Sequence, residues 1–234
     1  MLNDLAHRIG QGQYWWDNFE KALDYILHPM NITWNDFKKM NYIKGEVKYY
    51  KYKEGGFSTP TRKFELYSTV LEKMGYDPLP HHREPPESPV STPELYKEYP
   101  YILITGARPP GFFHTENRQV PRLRELHRDP IVEIHPEAAT KEGIKEGDWV
   151  IIESRQGKVR QRAKIALGRD PRIVAAQHAW WFPENKDPGH GWDESNINIL
   201  TDNALEGCDP AMGASNIRTL LCRIYPEKKE GGQP

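Results

Sequence analysis

The chain has 234 residues and a formal net charge of -1, with 32 basic residues against 33 acidic ones. Its length suits one compact domain with a smaller attached segment, and the balanced charge disfavours nucleic acid as a partner, because nucleic-acid-binding domains carry clustered basic residues. No stretch approaches the roughly 20 consecutive apolar residues that span a bilayer, and the first residues lack a signal-peptide pattern. We therefore expect no membrane contact by this chain and, by default, a cytoplasmic location.

Metal and nucleophile chemistry find little support in the sequence. Only two cysteines occur, Cys208 and Cys222, and no C-x-x-C pair is present to hold zinc or an iron–sulfur cluster. The histidines show no metal-ligand spacing, and no G-x-S-x-G nucleophile elbow occurs. We predict no metal ligand in this chain.

Residues 1–76 are predicted to form a small helical and extended segment. Apolar residues recur at helical spacing in residues 15–27, and a second short helix is expected after Thr33. The segment KFELY at 63–67 resembles a strand, and Ser68 is placed to cap the helix TVLEKM that follows it.

Residues 77–100 are dense in proline and polar residues. Each proline removes a backbone donor and biases the residue before it toward extended structure. The composition leaves two interpretations open, a connector that crosses the surface and a flexible linker.

Beyond Pro100 the pattern becomes mostly β. Six strand candidates follow one another: YILIT, IVEIH, DWVIIES, VRQRAKIAL, RIVAAQH and TLLCRIY. A short helix interrupts them, with Pro136 at its first position and Gly143 just past its end. Because no helix is long enough to cover a parallel sheet, we predict a mainly β fold, a small mixed barrel with short helices.

A polar loop follows the first strand, in TGARPPGFFHTENRQVPRLREL. Gly106 permits unusual backbone angles, and the donor side chains of the loop suit an anionic small molecule such as a phosphate. These donors are Arg108, His114, Thr115, Asn117, Arg118 and Gln119. The alternative is a solvated loop whose arginines form surface ion pairs, and no P-loop or dinucleotide glycine fingerprint is present.

A second irregular segment, residues 177–216, mixes aromatic side chains with amides and acids. Asn196, Asn198 and Asp202 could hydrogen-bond to the polar edge of a base. The alternative is that the tryptophans are core anchors and that the asparagines form local turns.

The order of several motifs resembles one known family. TGARPPGFFHTENRQVPRLREL, IHPEAATKEGIKEGDWVIIESRQGKV, QHAWWFPE and NINILTDNALEGCDPAMGA together resemble the C-terminal molybdopterin dinucleotide-binding region of the dimethyl sulfoxide reductase family of molybdenum and tungsten oxidoreductases. The similarity runs from about Tyr101 to Pro226 and extends upstream through GFSTPTRKFELYS. Within the family, the chain looks most similar to the branch with acetylene hydratase, pyrogallol–phloroglucinol transhydroxylase and thiosulfate or polysulfide reductases.

The resemblance implies a double-psi β-barrel over residues 101–226, followed by a tail at 227–234. It implies a site for molybdopterin guanine dinucleotide, in its bis form with molybdenum or tungsten. The loop after the first strand would contact the pterin and pyrophosphate, and the second segment would line the rest of the cofactor. The implied cofactor-binding residues are Thr105, Gly106, Arg108, His114, Thr115, Arg118, Gln119, His178, Trp180, Asn196, Asn198 and Asp202.

Several parts of the family have no counterpart here, including the cluster-binding cysteines and the segment that ligates the metal. The resemblance therefore assigns no catalytic residue to this chain and places any iron–sulfur cluster upstream. The implied partners are upstream catalytic domains or a separate catalytic subunit of the same enzyme, for which a periplasmic location stays open. The alternative is a stand-alone barrel that serves as a protein-binding adaptor, since one fold supports many functions.

Overall fold

A computed structural model describes residues 1–40, 42–105, 109–204, 207–209 and 211–228 of the chain. The chain divides into two compact units, Met1–Glu65 and Leu66–Pro234. The finer division predicted from the sequence, at 1–76, 77–100, 101–226 and 227–234, stays a prediction.

The first unit consists of short helices joined by irregular segments. They are α1 (Leu2–Arg8), α2 (Phe19–Leu27), α3 (Trp34–Phe37) and α4 (Tyr52–Gly55), with 3-10 turns at Gly12–Tyr14 and His28–Met30. Trp15 and Trp16 precede α2 rather than lying within it, because Asn18 caps that helix by accepting a hydrogen bond from the Lys21 amide at 2.9 Å. Thr33 caps α3 in a capping box, so the helix predicted after this residue is confirmed.

The second unit begins with α5 (Thr69–Lys73) and α6 (Pro93–Glu98). The Ser68 hydroxyl accepts from the Leu71 amide at 3.2 Å, which confirms the predicted cap of α5. The strand predicted at 63–67 is wrong. No described strand pairs with this segment, and its apolar side chains Phe64 and Leu66 are 69% and 77% exposed.

The proline-rich segment is tied to the barrel by hydrogen bonds. Glu87 is buried, and its carboxylate accepts from the Leu221 amide and pairs with the Arg155 guanidinium. Ser88 is also buried, and its hydroxyl accepts from the amides of residues 90 and 91 at 3.0 Å each. These contacts favour a structured connector over a flexible linker.

The strands form a closed barrel in the order β1-β5-β2-β4-β3-β6. Their bounds are β1 (Tyr101–Thr105), β2 (Ile131–Ile134), β3 (Trp149–Ser154), β4 (Gly157–Ile165), β5 (Ile173–Ala176) and β6 (Leu220–Pro226). β1 pairs in parallel with β5 and β2 in parallel with β4, whereas the remaining pairs are antiparallel. The predicted fold class, a mainly β barrel of mixed pairing with short helices, is confirmed.

Side chains that alternate along each strand fill the barrel. On β3, Val150 and Ile152 are fully buried while their neighbours are half-buried, as expected for a strand with one face toward the core. Burial of each such side chain contributes about 1.5–3 kcal/mol to folding. The helices α7 (Pro121–Leu126), α8 (Pro136–Glu142) and α9 (Trp192–Ser195) and a 3-10 turn at Ile197–Leu200 lie between strands.

The predicted start and end of α8 are confirmed. Pro136 is its first residue, and Gly143 follows its end with a φ of 69° that suits a residue without a Cβ. Within the part of the chain that the structure describes, no helix has both the length and the apolar character needed to cross a bilayer.

Candidate cofactor-binding cleft

Two long loops leave the barrel at the same edge. β1 ends at Thr105 and β5 ends at Ala176, and these two residues are partners in a parallel strand pair. Parallel neighbours place their carboxyl ends side by side. The segments that follow the two strands therefore start close together, although they lie far apart in the sequence.

A cleft of about 610 Å³ opens between these segments. The residues that line it combine indole rings with amides, a hydroxyl and a carboxylate. They are Thr115, Glu116, Asn117, Gln119, Trp180, Trp181, Gly189, His190, Trp192 and Asn196. Flat apolar walls with a few polar groups are typical of sites for small heterocyclic ligands.

Trp180 forms the floor of the cleft and is fully buried. It packs with Phe112 and Phe182 in an apolar cluster separate from the barrel core. Its indole Nε1 is also buried and has no hydrogen-bond partner among the described residues. A buried donor without a partner is costly and rare in proteins, so this N–H is an unusual feature of the cleft floor.

Arg118 lies next to Trp180 and is also fully buried. Its guanidinium stands 4.6 Å from the Trp180 ring centroid and 5.0 Å from that of Phe112. Among the described residues, no carboxylate forms an ion pair with it, and its Nε lacks a partner. Burial and the nearby Arg124 guanidinium lower the pKa of Arg118 to about 10, so it stays protonated at neutral pH.

Three contacts hold the two loops together. The Arg118 guanidinium donates to the carbonyl of His114 in its own loop and to the carbonyl of His178 in the other. The Trp181 indole N–H donates to the Thr115 carbonyl at 2.7 Å. The rings of His114 and His178 stand 5.4 Å apart, edge to face. The width of the cleft is thus fixed by direct contacts between its walls.

The backbone around the cleft is strained. Seven non-glycine residues of the described chain have positive φ, and four of them, His114, Asn117, Ala179 and His190, lie in these two loops. Such conformations cost energy and concentrate at functional sites. At Gly191, φ is 62°, a backbone conformation that favours glycine, and an added Cβ would lie 2.7 Å from the Glu194 carboxylate, which would have to move.

The structure separates the predicted site residues into groups. Thr115, Gln119, Trp180 and Asn196 line the cleft. Thr105, His114, Arg118 and His178 lie at the strand end or beneath and beside the cleft walls. Gly106 and Arg108 lie outside the described residues.

Asn198 and Asp202 are not among the residues that line the cleft. Asp202 pairs with Arg155 at 3.0 Å and accepts from the Ala204 amide at 2.9 Å. Asn196 caps a 3-10 turn by accepting from the Asn198 amide. The local-turn alternative therefore describes the hydrogen bond of Asn196, and Asp202 instead pairs with a distant arginine. A base contact by any of the three stays a prediction.

Asn117, named from the sequence as a donor of the loop, also lines the cleft. Five lining residues were not singled out as site residues from the sequence, namely Glu116, Trp181, Gly189, His190 and Trp192. Glu116 and Trp181 are neighbours of predicted residues, so widening each motif by one position would have found them. His190 and Trp192 reach the cleft only through the fold of the loop that ends at α9, for which the sequence carries no periodic signal.

Comparison with known proteins identifies the family to which the chain belongs. The sequence profile of the molydopterin dinucleotide binding domain matches residues 101–219, which include the barrel strands β1 to β5 and both loops of the cleft. The chain belongs to this family. Its relatives place it in the C-terminal region of the dimethyl sulfoxide reductase family of molybdopterin oxidoreductases, near acetylene hydratase.

Several relatives of the molydopterin-binding chain are characterised enzymes. Dopamine dehydroxylase from Eggerthella lenta is 43% identical over 75% of this chain and 17% of its own length. Acetylene hydratase from Syntrophotalea acetylenica is 32% identical over 96% of this chain and 32% of its own length. Dimethyl sulfoxide reductase DmsA from Escherichia coli is 28% identical over 86% of this chain and 27% of its own length.

The solved structure of acetylene hydratase from Pelobacter acetylenicus is similar to this chain, with a TM-score of 0.85 and 30% sequence identity. The alignment covers 96% of this chain and 32% of that one. The chain thus spans about a third or less of the length of these relatives.

Proposed function

We propose that the chain binds molybdopterin guanine dinucleotide in this cleft, as the cofactor-holding part of a molybdenum- or tungsten-dependent oxidoreductase. The observation that carries the proposal is the floor of the cleft. The indole N–H of Trp180 in this floor lacks a partner, and beneath it the buried cation Arg118, next to the Trp180 ring, lacks a counter-charge among the described residues.

The residues present fit such a ligand. Its pyrophosphate would lower the electrostatic cost of the buried Arg118 cation, since opposite charges attract strongly in a site of low dielectric constant. Trp181 and Trp192 offer flat faces for a heterocycle, and the Glu116 carboxylate can accept hydrogen bonds from a guanine N–H edge.

Each group of the site has a separate task in this proposal. The Thr115 hydroxyl and the Gln119 and Asn196 amides would orient the polar groups of the dinucleotide. Arg118 would supply positive charge from beneath the loop rather than direct surface contact, because protein covers it. The bound cofactor supplies the metal at which the chemistry takes place, and the protein supplies binding, orientation and electrostatics.

The other components of the enzyme belong to the same proposal. The relatives are about three times as long as this chain or longer. Catalytic segments would lie in the parts of those relatives that do not align with this chain. We propose that such segments, on the same polypeptide or on a separate subunit, supply the protein ligand of the metal and any iron–sulfur cluster. The similarity to acetylene hydratase leaves both redox and hydration chemistry within the proposal.

Titration of the purified 234-residue chain with GDP, ADP and inorganic pyrophosphate in a calorimeter tests the proposal. We expect GDP to bind more tightly than ADP, and pyrophosphate to bind more weakly than either, because the cleft offers contacts to both base and phosphate. Thr115→Val, which removes a lining hydroxyl, should weaken GDP binding.

Thr140→Val, on the exposed surface of α8, is the matched control and should leave GDP affinity unchanged. Absence of GDP binding up to millimolar concentration would overturn the proposal. If the chain instead captured a protein partner tightly, the adaptor function would replace it.

A further inference from the structure

We propose that Gln161 is a positioning residue that fixes, through their backbones, the start of the loop after β5 and the α9 end of the same loop, the two stretches that form one wall of the cleft. The inference rests on the proposed function for its ligand. Gln161 lies on β4, is fully buried, and does not line the cleft.

The side-chain amide of Gln161 bonds to two stretches of the loop after β5, at residues 177 and 195. Gln161 Oε1 accepts from the Gln177 amide at 3.0 Å, and Gln161 Nε2 donates to the Gln177 carbonyl at 2.8 Å. Nε2 also donates to the Ser195 carbonyl at 3.2 Å. Gln177 directly precedes His178, and Ser195 directly precedes Asn196.

The contact to Gln177 has the geometry of strand pairing. The amide of Gln161 bonds both backbone polar groups of one residue, as a neighbouring strand would. It acts where β5 has ended at Ala176 and the chain turns into the loop that carries Trp180 and Trp181. Gln161 shares this position with β2, because the Gln177 amide also donates to the Ile131 carbonyl at 3.2 Å, and Gln161 is the group that bonds the Gln177 carbonyl.

The contact to Ser195 is reinforced by the residue next to Gln161. The Ser195 hydroxyl donates to the Arg160 carbonyl at 2.7 Å, and the Arg160 guanidinium pairs with Glu194 at 2.6 Å. Consecutive residues of β4 thus fix consecutive residues of α9. Since α9 begins at Trp192, a residue of the cleft wall, this anchoring determines where that wall stands.

Only an amide of this length satisfies the arrangement. Both N–H bonds and the carbonyl oxygen of Gln161 are used, so a carboxylate at this position would face two carbonyls with no donor. An apolar side chain would leave the Ser195 carbonyl without this bond in a buried place. Loss of the amide should therefore let the start of this loop and its α9 end shift relative to each other while the barrel itself remains closed.

The test compares Gln161→Met with Val159→Ala. Val159 lies two residues earlier on β4 with its side chain in the barrel core, so its truncation lowers stability without removing the hydrogen bonds to residues 177 and 195. We expect both variants to unfold at lower temperature, but only Gln161→Met to weaken GDP binding, by about tenfold. Gln161→Glu, which keeps the acceptor and loses both donors, should weaken binding as well. GDP affinity equal to that of Val159→Ala would overturn the inference.

Amide hydrogen exchange on the ligand-free protein separates this inference from the proposed function. In Gln161→Met, exchange should become faster both at Gln177 and in residues 192–196, whereas Val159→Ala should not accelerate these two segments selectively. If the unmodified chain fails to bind GDP, the proposed function is contradicted. In that case the hydrogen-exchange result alone tests whether Gln161 positions the loop. Unchanged exchange in both segments would overturn that role, and if Gln161→Met does not fold, Gln161→Glu serves for the same measurement.

Discussion

Two buried regions of this molecule differ in whether their buried polar side chains have hydrogen-bond partners. Inside the barrel, Gln161 is fully buried and each of its donors and its acceptor oxygen has a partner. At the edge of the barrel, Trp180 and Arg118 are equally buried, yet each keeps an N–H without a partner. The buried amide of Gln161 is therefore fully hydrogen-bonded, whereas the two buried side chains at the cleft are not.

The difference separates the region that supplies stability from the region that we propose binds a ligand. An unpaired buried donor costs free energy, so the cleft floor weakens the folded state, and a ligand bound there would stabilise it. Gln161 in the barrel has no unpaired donor, and burial of apolar side chains in the barrel core can offset the free-energy cost of the unpaired donors at the cleft. Substitutions in the two regions should therefore separate the free energy of unfolding from ligand affinity.

The largest effect is expected in the barrel core. Ile152→Ala removes a fully buried side chain from β3 and should lower the free energy of unfolding by about 2–5 kcal/mol, because a cavity is left behind. Urea denaturation followed by circular dichroism measures this loss. Leu167→Ala, at a side chain that is 81% exposed, is the control and should change stability little. A small loss at Ile152 would contradict the assignment of stability to the barrel.

An intermediate effect is expected at the cleft floor. Arg118→Met keeps an unbranched stem between Phe112 and Trp180 but removes the charge and both bonds to loop carbonyls. We expect GDP affinity to fall about tenfold, equivalent to ~1.4 kcal/mol, with a smaller loss of stability than in Ile152→Ala.

Calorimetric titration and urea denaturation of the same Arg118 preparation give both values. Arg118→Lys retains the charge but cannot form the planar fork, so it should have intermediate affinity. Unchanged affinity in both variants would show that the buried cation does not contribute to binding.

The smallest effect is expected at the exposed face of the barrel, where Glu153 on β3 pairs with Arg223 on β6 at 2.7 Å. Hydrogen bonds from Arg223 and Tyr225 lower the pKa of Glu153 and outweigh the opposite effect of burial. Because the folded-state pKa is below the usual value of 4.5, the stabilisation is present above that pH and is lost as the pH falls through the lowered value.

Glu153→Gln should therefore reduce the acid dependence of stability below this pH. At neutral pH it should cost no more than about 1 kcal/mol, because Arg223 is 42% exposed and solvent screens the pair. Urea denaturation at a series of pH values measures the difference. An acid dependence identical to that of the unmodified chain would exclude the contribution of this pair.

The barrel could be predicted from the sequence because its signals are local. Alternating apolar residues define β3, and Pro136 and Gly143 mark the two ends of α8. The failed strand at 63–67 has the same local pattern but lacks a neighbouring strand among those described. Pairing between distant segments is what a local pattern cannot provide.

The candidate site was predictable in part for a similar reason. Motif resemblance located Thr115, Gln119, Trp180 and Asn196, which do line the cleft. It gave no indication of His190 or Trp192, because their positions depend on the left-handed backbone at residues 190 and 191. Nor could it show that Arg118 is covered by protein, since burial of a charged residue is the exception rather than the rule.

The parallel pairing of β1 with β5 also has a consequence for folding. The two strands are separated in the chain by β2, β3, β4 and α8, so the cleft cannot form from any contiguous short piece of sequence. Contacts between such distant segments form slowly and only once the intervening chain is in place. During refolding, the ability to bind a nucleotide should therefore appear late, together with closure of the barrel, and would report the completed native state rather than an intermediate.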